Sequence, residues 1–96
     1  MRVELSPQVL EFVRRLPPEP RRRLRRALKA LAKESGDIGR LEGPLQDYCR
    51  LRVGGFRVIL YYSGRGSIQC VFAERRSIVY EVFAAALRSA IAGSED

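Results

Sequence analysis

The sequence contains no histidine and no tryptophan, only 2 cysteines (Cys49 and Cys70), and no long apolar run. Each gap removes a class of function. Serine–histidine and cysteine–histidine nucleophilic catalysis both need an imidazole, so any acid or base must be Arg, Lys, Tyr, Asp, Glu or Cys. A zinc centre of the usual kind needs about four Cys, His or carboxylate ligands, and no such cluster is present; neither a metal nor a cofactor is expected. Nothing approaches the ~18 uninterrupted apolar residues of a membrane span. The opening MRVELSPQ has no apolar stretch behind its arginine. Neither a membrane partner nor a secretory leader is therefore expected, and the cytoplasm is the default compartment.

Negative charge is also scarce. Against 11 acidic residues stand 18 basic ones, a formal net charge of +7, and every basic residue except Lys29 and Lys33 is arginine. Arginine's planar fork grips phosphate or carboxylate at two points, which lysine cannot do. So basic a surface points to nucleic acid, an acidic protein partner or anionic lipid. A length of 96 residues, 46% of them hydrophobic, suits one domain over 1–96 with a modest core.

Hydrophobic spacing divides the chain. Arg2 to Leu5 reads as a short edge strand. Ser6-Pro7 is a helix start, followed by Val9, Leu10, Val13 and Leu16 at helical intervals until Pro17-Pro18. Pro20 restarts a helix through about Glu34, with Leu24, Ala27, Leu28 and Leu31 inward and Arg21, Arg22, Arg25, Arg26, Lys29 and Lys33 outward. Gly36 is placed to end it, and 36–44 has the composition of a loop. From Tyr48 the period becomes two. Three strands (48–53, 56–62 and 67–73) form a meander, and Ser77 can cap a last helix striped by Val79, Val82, Phe83, Ala86, Leu87 and Ile91. Residues 93–96 read as a frayed tail. The fold class is α+β: two N-terminal helices packed on a small antiparallel sheet, with a closing C-terminal helix.

Gly54-Gly55 is a two-residue hairpin signal that fixes register. Val53 then faces Phe56, Arg52 faces Arg57, Leu51 faces Val58 and Arg50 faces Ile59. Alternation puts Tyr48, Arg50, Arg52, Arg57 and Tyr61 on one face and Cys49, Leu51, Val53, Phe56, Val58 and Leu60 on the other. Directly opposed arginines destabilise a sheet, and neither strand carries an acid after Asp47. Phosphates of a polyanion would supply the counter-charge, and the tyrosines would offer stacking surfaces to bases. Arg75 and Arg76 leave the third strand just before Tyr80, in the first turn of the last helix.

Four stretches together, Leu41-Glu42-Gly43-Pro44-Leu45, Tyr48 to Val53, Gly55 to Tyr61 and Arg75 to Tyr80, resemble the RelE/ParE toxin superfamily. The resemblance extends over nearly the whole chain. It implies an mRNA endonuclease that works in the ribosomal A site and is held inactive by a cognate acidic antitoxin. The substrate's 2′-hydroxyl would attack the adjacent phosphate and leave a 2′,3′-cyclic phosphate. By position, Arg50 and Arg52 correspond to the basic strand residues and Arg57 to the arginine on the scissile phosphate. Tyr80 corresponds to the general base or orienting group. Arg75 or Arg76 corresponds to the arginine that protonates the leaving oxygen or stabilises developing charge. Arg22, Arg25, Arg26 and Lys29 would serve ribosomal RNA or the antitoxin. Glu74 departs from the pattern, standing where the nucleases carry a basic residue, and the histidine common near that strand end is missing. Two alternatives stay open: a gyrase inhibitor of the ParE kind, and a non-catalytic module binding nucleic acid through the 20–34 helix.

Overall fold

The computed structural model describes residues 1–94. Its elements are β1 (Arg2–Leu5), α1 (Pro7–Arg15), α2 (Pro18–Ala30), β2 (Asp37–Arg40), β3 (Cys49–Val53), β4 (Phe56–Ser63), β5 (Ser67–Arg75) and α3 (Val79–Ser94). The strands form one sheet in the order β1-β5-β4-β3-β2. β1 runs parallel to β5, and the other neighbours are antiparallel. The expected antiparallel meander is therefore the centre of a mixed sheet with one further strand on each edge.

Local chemistry explains the helix starts. Ser6 Oγ accepts the Val9 N–H (3.2 Å) and donates to the Val71 carbonyl (3.0 Å), so one hydroxyl caps α1 and ties it to the sheet. Gln8 exchanges two 2.8 Å hydrogen bonds with the Ala73 backbone, continuing the pairing of β5 where β1 has ended. Pro17 is the N-cap of α2, which begins at Pro18 rather than Pro20. After a 3-10 turn over Leu31–Lys33 the left-handed Glu34, at φ 51°, makes the stop expected of Gly36.

Three further readings need correction. Asp37–Arg40, expected as loop, is a strand registered on β3. Ser77 does not cap α3: it lies in the turn at 76–78, and the helix opens at Val79 with the Val82 N–H on the Ile78 carbonyl (3.0 Å). Gly93 and Ser94, expected to fray, continue α3, while 95–96 lie outside the described residues.

Both faces of the sheet are covered. On one, Val9 and Val13 of α1 and Leu24 and Leu28 of α2 bury Leu51, Val53, Val58, Leu60, Ile68, Cys70 and Ala73. On the other, Val79 and Phe83 of α3 bury Ile59, with Leu41, Leu45, Tyr48, Phe72 and Leu87 around them. Only part of the expected α3 stripe is used; Val82 and Ile91 are exposed. A shift in register at Ile59/Leu60 offsets the two halves of the β4–β5 ladder.

Cys49, Leu60 and Cys70 share one rung. Two strand spacings of ~4.8 Å exceed the ~7 Å Cα separation that a disulfide tolerates, and both cysteines are free thiols. Burial pushes the Cys70 thiol up to about 11, which keeps it protonated and unreactive near neutral pH. A quantitative thiol assay without reductant should count two thiols after unfolding, with Cys70 silent in the folded protein at pH 8. A native Cys70 that labels as fast as a free thiol would contradict this packing.

Candidate functional site

The arginine face is organised by one row of residues that crosses four strands. Asp37 on β2 pairs with Arg52 on β3, Arg52 with Arg57 on β4, and Arg57 with Glu74 on β5. Directly paired residues point to the same side of a sheet, so two arginines stand between two acids. The counter-charge missing from the hairpin comes from the strands outside it.

The two ends of this row differ. Asp37 lies 3.5 Å from Arg50 Nη1 and 3.8 Å from Arg52 Nη1. Arg50 also donates to the Asp37 carbonyl (3.3 Å) and lies across Gly39, where an added Cβ would come within 2.6 Å of its guanidinium carbon. Gly39 therefore leaves room for Arg50, whose side chain is only 17% exposed. Arg50 fastens β2 to β3 before it binds anything else. At the other end, Arg57 Nη1 donates to the carbonyls of Gly54 (2.9 Å) and Phe56 (2.8 Å), while Glu74 Oε1 accepts the Arg75 N–H (2.9 Å). Among the described residues, Arg57 and Glu74 form no ion pair with each other.

The hairpin turn brings the remaining residues of this end together. Phe56 pairs with Arg75, and the Arg76 N–H donates to the Gly55 carbonyl (2.9 Å), so the chain leaving β5 is stitched to the turn. The Ile78 N–H then bonds back to the Arg75 carbonyl (3.1 Å) and α3 begins. Val79 is buried and Tyr80, next to it, is 37% exposed. Arg57 and Glu74 thus share one face at the turn end of the sheet, whereas Arg75, paired with Phe56, alternates to the α1 side; Arg76 and Tyr80 follow in the exit from β5 and the first turn of α3.

Tyr48 and Tyr61 belong to the opposite end. Tyr61 follows Arg57 by four residues, about 13 Å along a strand. Tyr48 packs edge-on against Tyr61 (6.1 Å between ring centroids) and Phe83 (5.0 Å). Ile59, Val79 and Phe83 lie between the two groups, so the tyrosines and Arg57 do not make one compact site.

The basic residues of α2 lie on the other side of the sheet. Arg22, Arg25, Arg26 and Lys29, together with Arg14, edge a groove of about 590 Å³ whose apolar lining is Val3, Leu5, Leu10, Val13 and Leu28. Arg22 is held at 2.6 Å by Glu19. Helical spacing revealed the basic face but not which side of the sheet it would occupy, nor that β1 would complete the groove. Asp37 and Gly39 were not anticipated as part of the arginine face; an acid and a glycine beside a basic hairpin were the available signal.

No family model matches the sequence, and no curated protein matches it. Solved structures do. A chain of the toxin–antitoxin complex RelBE2 from Mycobacterium tuberculosis superposes with a TM-score of 0.67 at 16% identity, covering 78% of this chain and 96% of that one. A chain of the RelB–RelE antitoxin–toxin complex from Methanococcus jannaschii gives 0.64 at 19% identity, covering 82% and 96%. The isolated E. coli RelE toxin gives 0.63 at 17% identity, covering 92% and 96%. The chain has the fold of the RelE/ParE toxin superfamily.

Asp37 restrains Arg50 and Arg52, so Asp37→Asn should strengthen any binding of a polyanion to this face. Anisotropy titrations of a short single-stranded RNA should show tighter binding at low salt. The dependence of log Kd on log salt should steepen by about 0.7 for each arginine released to phosphate. Unchanged affinity and slope would mean that the two arginines do not meet RNA.

Proposed function

With the RelE/ParE toxin fold as premise, we propose that this chain is the toxin of a toxin–antitoxin pair and cleaves mRNA on the ribosome, in the cytoplasm. The observation that carries this reading is Arg57 beside Glu74 at the turn end of the sheet, with Arg76 and the start of α3, where Tyr80 lies, held against the hairpin by the Arg76–Gly55 hydrogen bond.

The chemistry needs no metal. A ribose 2′-hydroxyl attacks the adjacent phosphorus, the bond to the 5′-oxygen breaks, and a 2′,3′-cyclic phosphate remains. Arg57 faces the non-bridging phosphate oxygens, where preorganised charge is worth most in the transition state. Of the two candidates Arg75 and Arg76, Arg76, bonded beside the turn, is the one to stabilise charge on the departing oxygen, and Tyr80 handles a proton. Arg50 and Arg52 draw in the RNA backbone further along the face, and Tyr48 and Tyr61 meet bases at its far end.

The cognate antitoxin is an acidic protein. The groove between α1, α2 and β1, apolar within and basic at its rim, suits an amphipathic acidic segment. It lies on the face opposite Arg57, so Arg22, Arg25, Arg26 and Lys29 serve the antitoxin or ribosomal RNA rather than the cleavage step. Such binding weakens as salt is raised.

Tyr80→Phe keeps the ring and deletes the proton-carrying oxygen, and should slow cleavage on programmed ribosomes by ~10²–10⁴. Arg57→Ala should lose a comparable factor, since one transition-state contact is often worth ~3–4 kcal/mol. Both variants should restore growth to cells that make the protein without its antitoxin. Undiminished toxicity of Tyr80→Phe with intact mRNA and inhibited gyrase would place the chain among gyrase inhibitors. Loss of RNA binding on removal of the α2 arginines, with no cleavage or gyrase inhibition by the unaltered chain, would leave the binding module.

A further inference from the structure

Opposite charges that stand directly across a ladder ordinarily close on each other. Asp37 does so with Arg50 and Arg52. At the other end of the same row, Arg57 and Glu74 are nearest cross-strand neighbours, ~4.5–5.5 Å apart at Cβ, and they are not joined. Each is fastened to backbone instead: Arg57 through Nη1 to Gly54 and Phe56, and Glu74 through Oε1 to the Arg75 N–H. Arg57 keeps Nε and Nη2, and Glu74 keeps Oε2, without a hydrogen-bond partner among the described residues. A held cation and a held carboxylate, side by side and each with unused capacity, form a place for a group that is anionic at one atom and a donor at the next. A phosphodiester with its neighbouring 2′-hydroxyl is such a group.

The residue types present sharpen the argument. Without histidine, the side chains ionised as bases at neutral pH are carboxylates, whereas a phenol is then almost wholly protonated. A phenol serves better as the acid and a carboxylate as the base. Two other acids belong to the neighbouring elements, Asp37 at the far end of the row and Glu81 in the first turn of α3. Asp37 is engaged with Arg50 and Arg52, and Glu81 lies on the exposed part of the first turn of α3.

We infer that Glu74 is a catalytic residue, the base that receives the 2′-hydroxyl proton, which leaves Tyr80 to act as the acid. This rests on the nuclease reading above. The 2′-oxygen gives its proton to a Glu74 carboxylate oxygen and bonds to phosphorus. The P–O5′ bond breaks, its electron pair goes to the 5′-oxygen, and that oxygen takes the Tyr80 hydroxyl proton. After product leaves, water returns a proton to Tyr80 and removes one from Glu74. Arg57 binds the phosphate without moving a proton.

Single-turnover cleavage on programmed ribosomes between pH 5.5 and 8.5 tests this with Glu74→Gln, Glu74→Asp and Glu81→Gln. Binding of an RNA with a 2′-deoxy scissile nucleotide is measured alongside. The charged groups beside Glu74 on the ladder are Arg57, its neighbour on β4, and Arg52 one strand further; Arg75 and Arg76 follow it in sequence, and Tyr80 and Glu81 lie in the first turn of the packed α3. Glu74→Gln should cleave ~10² or more slower and lose the acid-side fall in rate seen with the unaltered protein. It should bind the deoxy RNA as tightly or more so. Glu74→Asp should recover part of the rate and its pH dependence, and Glu81→Gln should match the unaltered protein. Cleavage by Glu74→Gln at an equal or higher rate overturns the inference and makes Glu74 a brake on Arg57, with the nuclease reading intact. No cleavage by the unaltered protein removes that reading and this inference together.

Discussion

The two-residue turn at Gly54-Gly55 locks β3 against β4 with Val53 opposite Phe56, and every rung beyond it follows from that pairing. Gly54 alone takes a positive φ, 56°, the pattern of a type II′ hairpin. Slipping the pair by one residue would turn Leu51, Val53 and Val58 away from α1 and α2 and drive Arg52 or Arg57 into the core they fill. An ionised group buried without a partner costs several kcal/mol, so the register is held by what it keeps out as much as by what it buries. The consequence is an arginine pair, Arg52 and Arg57, that the sheet can carry because Asp37 and Glu74 flank it.

Placement of α3 turns that charged row into an open site. Val79 and Phe83 cover Ile59 and pack against Tyr48 and Phe72, closing the middle of the arginine face, while Tyr61 stays exposed at its far end. The turn end stays uncovered. There the hydrogen bond from Arg76 to Gly55 holds the exit of β5 against the hairpin, so the start of α3 and the turn are positioned by one backbone contact. The groove on the opposite face, edged by the α2 arginines, keeps partner binding and cleavage on separate surfaces in the proposed scheme.

Much of this was legible where the signal is local. The hairpin register and the cap at Ser6 depend on residues adjacent in sequence or in one turn, and both are found in the structure. Asp37–Arg40 was not legible, because four residues with Ile38 as the single large apolar side chain do not alternate enough to mark a strand. Their conformation comes from pairing with β3, a non-local contact. The second core escaped for a similar reason. Alternation already placed Ile59 on the arginine face, but only the docking of α3 buries it. Counter-charge for Arg50 and Arg52 was sought along their own strands and arrived from a neighbouring one.

The central claim is that arginines, a phenol and a carboxylate cleave RNA through its own 2′-hydroxyl. The chemistry of the new ends reports on this more directly than any rate. Messenger RNA cut on ribosomes by the unaltered protein should yield upstream fragments that end in a 2′,3′-cyclic phosphate by mass spectrometry. Downstream fragments should begin with a free 5′-hydroxyl. A 3′-hydroxyl paired with a 5′-phosphate would mean that water attacked phosphorus from outside, and would contradict the account.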